Sequence, residues 1–81
     1  MRENKIYHSI DENGWVSIYI NDILHIKFNR KDVLGLYSYI SESNYFYITL
    51  TLGTQQAQMM LEYSRKDVWE MVLRLFDDIL S

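Results

Sequence analysis

A single amphipathic segment at the end of the chain constrains the fold more than any other feature of the sequence. Between Ser64 and Leu80, large apolar residues recur on one helical face, namely Val68, Trp69, Val72, Leu75, Phe76 and Ile79. Ser64 is expected to cap this helix, and Asp67 three residues later completes a capping-box-like start. Each large side chain contributes about 1.5–3 kcal/mol when it is buried. The helix therefore requires a broad apolar surface, which the preceding residues must supply.

The residues before the helix alternate between strand-forming and turn-forming stretches. Strands are predicted at 5–11, 15–20, 23–28, 33–40, 45–52 and 57–63. The segment 33–40 could instead form a short helix capped by Asp32, so the sequence predicts five or six strands. Because every connection is short, successive strands are expected to pair antiparallel.

Turn residues separate these strands. Asn13-Gly14 predicts a two-residue type I′ turn, and Asn21-Asp22 is a second, weaker candidate for a tight turn. Gly35 is expected to mark a bulge or a close approach within its strand. The segments 29–32 and 41–44 are predicted to be loops, and 53–56 is predicted to turn the chain.

Both faces of the predicted sheet are apolar or aromatic. In the fifth strand, Phe46, Ile48, Leu50 and Leu52 alternate with Tyr45, Tyr47, Thr49 and Thr51. The first set is predicted to seat the helix, and Ala57, Met59 and Leu61 continue it. The register of the first three strands stays open, because a one-residue slip inverts every side chain.

One helix covers only part of one face of such a sheet. The sheet is therefore expected to close around its own side chains or to meet another molecule. The predicted fold is α+β, with one antiparallel β-meander that is strongly curved or barrel-like and is packed by one C-terminal helix. A single domain is expected over 1–81, with strands over about 5–63 and the helix over about 65–80.

Aromatic residues on the strands are the candidate binding residues. The predicted partner-binding set is Trp15, Tyr19, Tyr37, Tyr39, Tyr45 and Tyr47. Tyrosine and tryptophan bury much area while keeping a polar tip in water, which suits an interface. The alternative is that these rings pair across strands and stabilise the sheet. Trp69 and Phe76 are predicted to be core residues because of their helical spacing.

Composition limits the class of protein. The chain has 81 residues, of which 48% are hydrophobic, and it contains no cysteine, so it cannot form a disulfide framework. Its start lacks an apolar signal segment and no run reaches the length of a membrane span, so a cytoplasmic protein is expected. The net charge of −3 argues against a nucleic-acid partner, because phosphate binding relies on a basic field.

No motif for catalysis is present. His8 and His25 lack metal-ligand spacing, although they could approach each other across strands as a weak metal pair. Ser17, His8 and Asp11 could in principle form a Ser-His-Asp catalytic triad, but the sequence contains no nucleophile-elbow motif. The chain is therefore expected to be no enzyme and to bind no cofactor or metal.

A short-strand meander followed directly by one amphipathic helix resembles the pleckstrin-homology-like architecture. The stretches YFYITLTL, AQMMLEY and SRKDVWEMVLRLF look like its last strands and closing helix. The chain is short for that fold, and its first hairpin tip, 11–14, is acidic where lipid-binding members are basic. The resemblance therefore implies the fold without phosphoinositide binding.

In size, acidity and lack of catalytic groups, the chain is similar to small phage or mobile-element inhibitors of the anti-CRISPR, anti-defence or immunity type. The function expected is a non-enzymatic protein-binding module that inhibits or regulates a protein partner. The alternatives are a structural homo-oligomer and a binder of small ligands or single-stranded nucleic acid through the aromatic sheet face.

Overall fold

The chain forms two three-stranded antiparallel sheets and one helix. The first sheet comprises β1 (Ile6–Ile10), β2 (Trp15–Ile20) and β3 (Ile23–Asn29). The second comprises β4 (Val33–Ile40), β5 (Phe46–Leu52) and β6 (Ala57–Tyr63), and α1 (Lys66–Leu80) follows it. This computed structural model describes residues 4–53 and 57–81. The turn predicted at 53–56 therefore lies mostly outside the described residues.

The α+β class, the six strands and the C-terminal helix are confirmed, and 33–40 is a strand. The prediction of one strongly curved or barrel-like sheet is wrong. A 3₁₀ turn at Arg30–Asp32 separates β3 from β4, and these two strands do not pair in the described part of the chain. One face of each sheet is covered because the two sheets turn these faces toward a shared core, without either sheet closing, while large apolar side chains elsewhere stay exposed.

That core takes residues from both sheets and from the helix. Its buried members are Val16, Ile18, Ile26, Phe28, Ile48, Leu50, Tyr63, Val72, Phe76 and Ile79. The helix contacts both sheets: the ring of Phe76 lies 5.6 Å from that of Phe28, and the ring of Trp69 lies 5.2 Å from that of Phe46. The predicted core role of Trp69 and Phe76 is confirmed.

Alternation along β5 behaves as predicted. Ile48 and Leu50 are fully buried on the side that the helix occupies, and Met59 and Leu61 of β6 pack beside them. The side chain of Ala57 lies outside the described residues. Tyr47 points to the opposite, outer face, because it alternates with these residues along the strand.

A bulge settles the register that the sequence left open. Asn21 and Asp22 have positive φ angles of 52° and 66° and form the two-residue turn between β2 and β3. Tyr19 then pairs with Leu24, but Ile18 pairs with Ile26, so His25 is an extra residue in β3. This insertion lets both Ile18 and Ile26 enter the core.

The first hairpin does not use a type I′ turn at Asn13-Gly14, so that prediction is wrong. Asp11 N–H donates to Trp15 O, Gly14 N–H donates to Asp11 O, and only Gly14 has positive φ, at 88°. The Asp11 carboxylate accepts the N–H groups of Asn13 and Trp15, both at 2.9 Å. These side-chain bonds favour a longer loop that ends in a left-handed glycine.

The helix begins later than predicted. Arg65, not Ser64, occupies the N-cap position, and it makes no side-chain capping bond. The carboxylate of Asp67 instead accepts from the Arg65 guanidinium. This hydrogen bond is the main reason that the pKa of Asp67 lies below its ordinary value. The capping box predicted from Ser64 and Asp67 is therefore wrong.

Candidate functional site

The six predicted binding residues lie on the outer surfaces of both sheets. Tyr37, Tyr39 and Tyr47 share the outer face of the second sheet. Trp15 and Tyr19 lie on the outer face of the first sheet, where they alternate with the buried residues of β2. Tyr45 directly precedes β5. The structure therefore brings three of the six side chains together.

We call the outer face formed by Tyr37, Tyr39, Tyr47 and Met60 the tyrosine face. The rings of Tyr39 and Tyr47, which are cross-strand partners, are stacked with centroids 4.9 Å apart and planes 16° apart. The ring of Tyr37 lies 6.3 Å from that of Tyr39 along β4, with 23° between their planes. Both separations fall in the range of favourable ring pairs. The three rings thus form a continuous stacked row.

A single carboxylate lies at the end of this row. Glu62 is the only charged residue in the three strands of the second sheet. Its Oε2 accepts a hydrogen bond of 3.0 Å from the Tyr47 hydroxyl. This bond is the main reason that the pKa of the Tyr47 phenol is raised, so the hydroxyl stays protonated as a donor.

The rings of the tyrosine face are exposed to solvent, but Thr49, which lies between Tyr37 and Met60, is fully buried. Tyr37, Tyr39 and Met60 are 52%, 39% and 59% exposed. Thr49 pairs with Tyr37 on one side and Met60 on the other, and it is 0% exposed. Its hydroxyl has no hydrogen-bond partner among the residues that the structure describes.

Three residues at this site were not in the predicted binding set: Thr49, Met60 and Glu62. Thr49 and Tyr47 were placed on one face by alternation, but the alternation did not show that Thr49 would be covered. Met60 and Glu62 join them only through the pairing of β6 with β5, because Thr49 lies opposite Met60 and Tyr47 lies opposite Glu62. The sequence placed Met59 and Leu61 on the helix side of this strand, so alternation puts Met60 and Glu62 on the outer side, but neither was taken as a binding residue.

The aromatic residues of the first sheet have charged neighbours from their own chain. The ammonium group of Lys5 lies 5.2 Å from the centre of the Tyr7 ring, and that of Lys27 lies 5.9 Å from the centre of the Trp15 ring. Tyr7 stacks on Tyr19 at 5.1 Å and donates to the Asp22 carboxylate at 2.8 Å. That bond raises the pKa of Tyr7 and lowers the pKa of Asp22.

No cation lies over the tyrosine face among the residues that the structure describes. The two outer faces therefore differ in their electrostatics, although both are aromatic. The rings of Tyr7 and Trp15 already attract lysines of the chain. Because Tyr39 stacks on both Tyr37 and Tyr47, the electron-rich ring surfaces that a ligand can reach are those at the two ends of the row, on Tyr37 and on Tyr47 beside the Glu62 carboxylate.

Tyr45 and Trp15 occupy equivalent positions in two similar hairpins. Ser41 N–H donates to Tyr45 O, and Tyr45 N–H donates to the Ser41 hydroxyl, much as Asp11 and Trp15 are joined. Asn44, with φ of 63°, takes the left-handed position that Gly14 takes in the first hairpin. Each turn thus places an aromatic side chain at the tip of its sheet, where both are more than 40% exposed.

The histidines lie apart from the tyrosine face. His8 pairs with Ile18 and shares its side of the sheet, whereas Ser17 lies on the other side, so the triad considered from the sequence is not assembled. His25 Nε2 lies 2.7 Å from the Tyr63 hydroxyl. Within residues 4–53 and 57–81, no group of three His, Cys, Asp or Glu side chains could hold a metal ion.

In the described ranges, no helix has the length and apolar character needed to span a membrane. Comparison of the chain with protein-family models, with curated protein sequences and with solved structures finds no significant match.

Proposed function

We propose that the protein is a small, non-catalytic binding module that inhibits or regulates a protein partner through the tyrosine face. The partner surface that suits this face presents an arginine or lysine side chain. The observation that carries the proposal is the contrast between the two outer faces. Lys5 and Lys27 lie over rings of the first sheet, whereas no cation of the described chain lies over Tyr37, Tyr39 or Tyr47.

A cation fits this face for an electrostatic reason. The face of an aromatic ring is electron-rich, and a cation above it gains about 0.5–1 kcal/mol at an exposed site and about 2 kcal/mol when water is excluded. A guanidinium group can stack flat on a tyrosine ring while its N–H groups reach a carboxylate. Glu62 supplies that carboxylate directly beside the Tyr47 ring.

The tyrosine face is also held in place before any partner arrives. The Tyr39 ring stacks on the Tyr47 ring, and the Tyr47 hydroxyl is bonded to Glu62. Side chains that are already ordered lose little conformational entropy on binding. Met60, which has a flexible thioether chain, can adjust to the shape of the partner.

The charge of the face favours a protein over a nucleic acid. Tyrosine rings can stack on bases, but single-strand binders also line the groove with cations for the phosphates. The three strands of the second sheet contain no lysine or arginine, and Glu62 would repel a phosphate. The net charge of −3 acts in the same direction.

Selection from a phage-displayed library of random peptides tests the proposal. Wild-type protein serves as bait, and recovered peptides are titrated against Tyr39→Ser and the matched control Trp15→Ser. The control removes a ring of similar exposure, 44% against 39%, from the other sheet. Circular dichroism confirms that both variants are folded, and Tyr37→Ser replaces Tyr39→Ser if the latter unfolds.

The recovered peptides are expected to carry arginine or lysine and to bind wild type and Trp15→Ser equally. Their affinity for Tyr39→Ser should fall about tenfold or more, which corresponds to about 1.4 kcal/mol. Peptides that bind Tyr39→Ser as tightly as wild type would overturn the proposal. Failure to enrich any peptide above background would also count against it.

A further inference from the structure

We infer that the free edge of β4 pairs with β4 of a second copy of this chain, antiparallel and centred on Ser38. The two second sheets then join into one sheet of six strands with a twofold axis. This interface is centred on main-chain groups at the strand edge, and Tyr37 and Tyr39 contribute to it only as cross-strand neighbours. It therefore stands independently of the proposed partner.

Among residues 4–53 and 57–81, no strand pairs with the outer edge of β4, so main-chain groups there are left without a strand partner. β4 pairs with β5 on one side and is the outermost strand of its sheet in the described chain. Ser41 N–H donates to Tyr45 O, so Ser41 turns its main-chain groups toward the β5 side. In an antiparallel pair, every second residue hydrogen-bonds to the neighbouring strand, so Tyr39 and Tyr37 also direct their main-chain groups toward β5. Leu36, Ser38 and Ile40 therefore direct their N–H and C=O groups to the open edge.

From Leu36 to Ile40 this edge lacks the features that usually prevent association of edge strands, and the bulge of β4 lies before this stretch, between Val33 and Gly35. The sequence VLGLYSYI contains no charged residue and no proline, which are common protections of exposed edges. Six of its eight residues are exposed. An open cleft of about 270 Å³ beside Val33–Leu36 and Leu80 leaves the start of the strand accessible as well.

The strand is complementary to itself about Ser38. In the antiparallel arrangement, Ser38 lies opposite Ser38 of the second copy, and Leu36 lies opposite Ile40 of the second copy. These residues direct their main-chain groups outward in both copies, so each such pair can exchange two hydrogen bonds. A centre on Tyr37 or Tyr39 would instead oppose residues whose main-chain groups point toward β5.

Pairing centred on Ser38 also brings together suitable side chains on both faces of β4. On the outer face, Tyr37 lies opposite Tyr39 of the second copy, which extends the stacked row of rings across the new interface. On the other face, Ile40, which is 52% exposed, lies opposite Leu36 of the second copy. The pairing therefore covers apolar surface that the core of a single copy leaves in water. A second copy is favoured over an unrelated strand because the edge complements itself in hydrogen bonding and in side chains.

Sedimentation equilibrium of the purified protein at several concentrations tests the inference. Wild type is expected to form dimers, and Ser38→Pro is expected to raise the dimer dissociation constant at least tenfold. Proline removes an N–H group that points to the open edge, so it leaves pairing with β5 intact. Ile40→Lys, which places a charge at the same edge, is a second variant with the same expected effect.

Met60→Lys is the matched control, because it places the same charge on an equally exposed apolar residue away from the β4 edge. The dimer dissociation constant of Met60→Lys should stay within about threefold of the wild-type value, because residue 60 lies away from the proposed contact. A wild-type protein that is monomeric at every concentration overturns the inference, including the case in which another protein occupies the edge. Dimers lost in Met60→Lys but kept in Ser38→Pro also overturn it, because they would form through the tyrosine face.

Discussion

His25 and Tyr63 join the two sheets through a contact of 2.7 Å between Nε2 and the phenol oxygen. His25 is the extra residue of the bulge in β3, and Tyr63 ends β6. Burial raises the pKa of the Tyr63 phenol, so the hydroxyl stays protonated, and the tautomer of the neutral imidazole decides which of the two groups donates. A bulge in one sheet thus supplies a specific contact with the other.

The first prediction concerns the pH dependence of stability. Burial lowers the pKa of His25, so protonation favours the unfolded chain. Its contribution to the free energy of unfolding is complete above the unfolded pKa of about 6.5 and is lost as the pH falls from there through the lowered folded value. The urea midpoint of wild type should therefore fall as the pH is lowered from about 7.5 to 5.

His25→Gln should flatten this dependence, while His8→Gln keeps it. The lowered pKa values of Asp22 and Asp67 affect stability at more acidic pH, below the range of this experiment. An unchanged slope in His25→Gln would contradict the role given to His25.

The second prediction is that Tyr63→Phe lowers the free energy of unfolding by about 1–3 kcal/mol, because it leaves the half-buried His25 Nε2 without a partner. Urea denaturation measures the loss. The double variant with His25→Phe should lose less than the sum of the two single variants, because it leaves neither polar group unpaired. Additive losses would show that the bond does not couple the two residues.

The third prediction is that Thr49→Val raises the free energy of unfolding by about 0.5–2 kcal/mol. Valine keeps the shape of threonine and removes a buried hydroxyl that has no partner in the described chain. Thermal or urea denaturation measures the gain. Thr51→Val, one step along the same face and partly exposed, should change stability by less than about 0.5 kcal/mol. A loss in Thr49→Val would mean that its hydroxyl is bonded.

The fourth prediction compares two glycines. Gly14 has φ of 88°, and a Cβ there would lie 3.2 Å from Asn29 Oδ1, so Gly14→Ala should lower the free energy of unfolding by about 1–2 kcal/mol. A Cβ on Gly35 would meet nothing within 4 Å. Gly35→Ala should therefore be neutral or stabilising by up to about 1 kcal/mol. Equal effects on the urea midpoint would refute this account of the first turn.

Alternation along single strands and the helix could be predicted from the sequence. The buried side of β5 and the buried residues Val72 and Phe76 follow directly from periods of two and 3.6 residues. The two turns of the first sheet could not be predicted from dipeptides alone: Asn13-Gly14 lies in a longer loop, whereas the weaker candidate Asn21-Asp22 forms the two-residue turn. The Asp11 carboxylate binds two N–H groups and lengthens the first loop, while Asn21 is held by main-chain and side-chain bonds to Lys5.

The division into two sheets also required information that is not local. A 3₁₀ turn at Arg30–Asp32 separates β3 from β4, and a bulge at His25 sets the register between β2 and β3; neither has a strong sequence signal. The tyrosine face was predicted in part, because Tyr37, Tyr39 and Tyr47 were singled out together. Trp15 and Tyr19 were grouped with them because sequence alone could not show that they belong to another sheet.

The most direct test of the central proposal is the affinity of a selected basic peptide for wild type, Tyr39→Ser and Trp15→Ser. Isothermal titration calorimetry is expected to show a dissociation constant about tenfold or more higher for Tyr39→Ser and unchanged for Trp15→Ser. Replacing the peptide's arginine by citrulline, which keeps the shape and removes the charge, should weaken binding to wild type similarly. Equal affinity of the peptide for all three proteins would contradict binding at the tyrosine face.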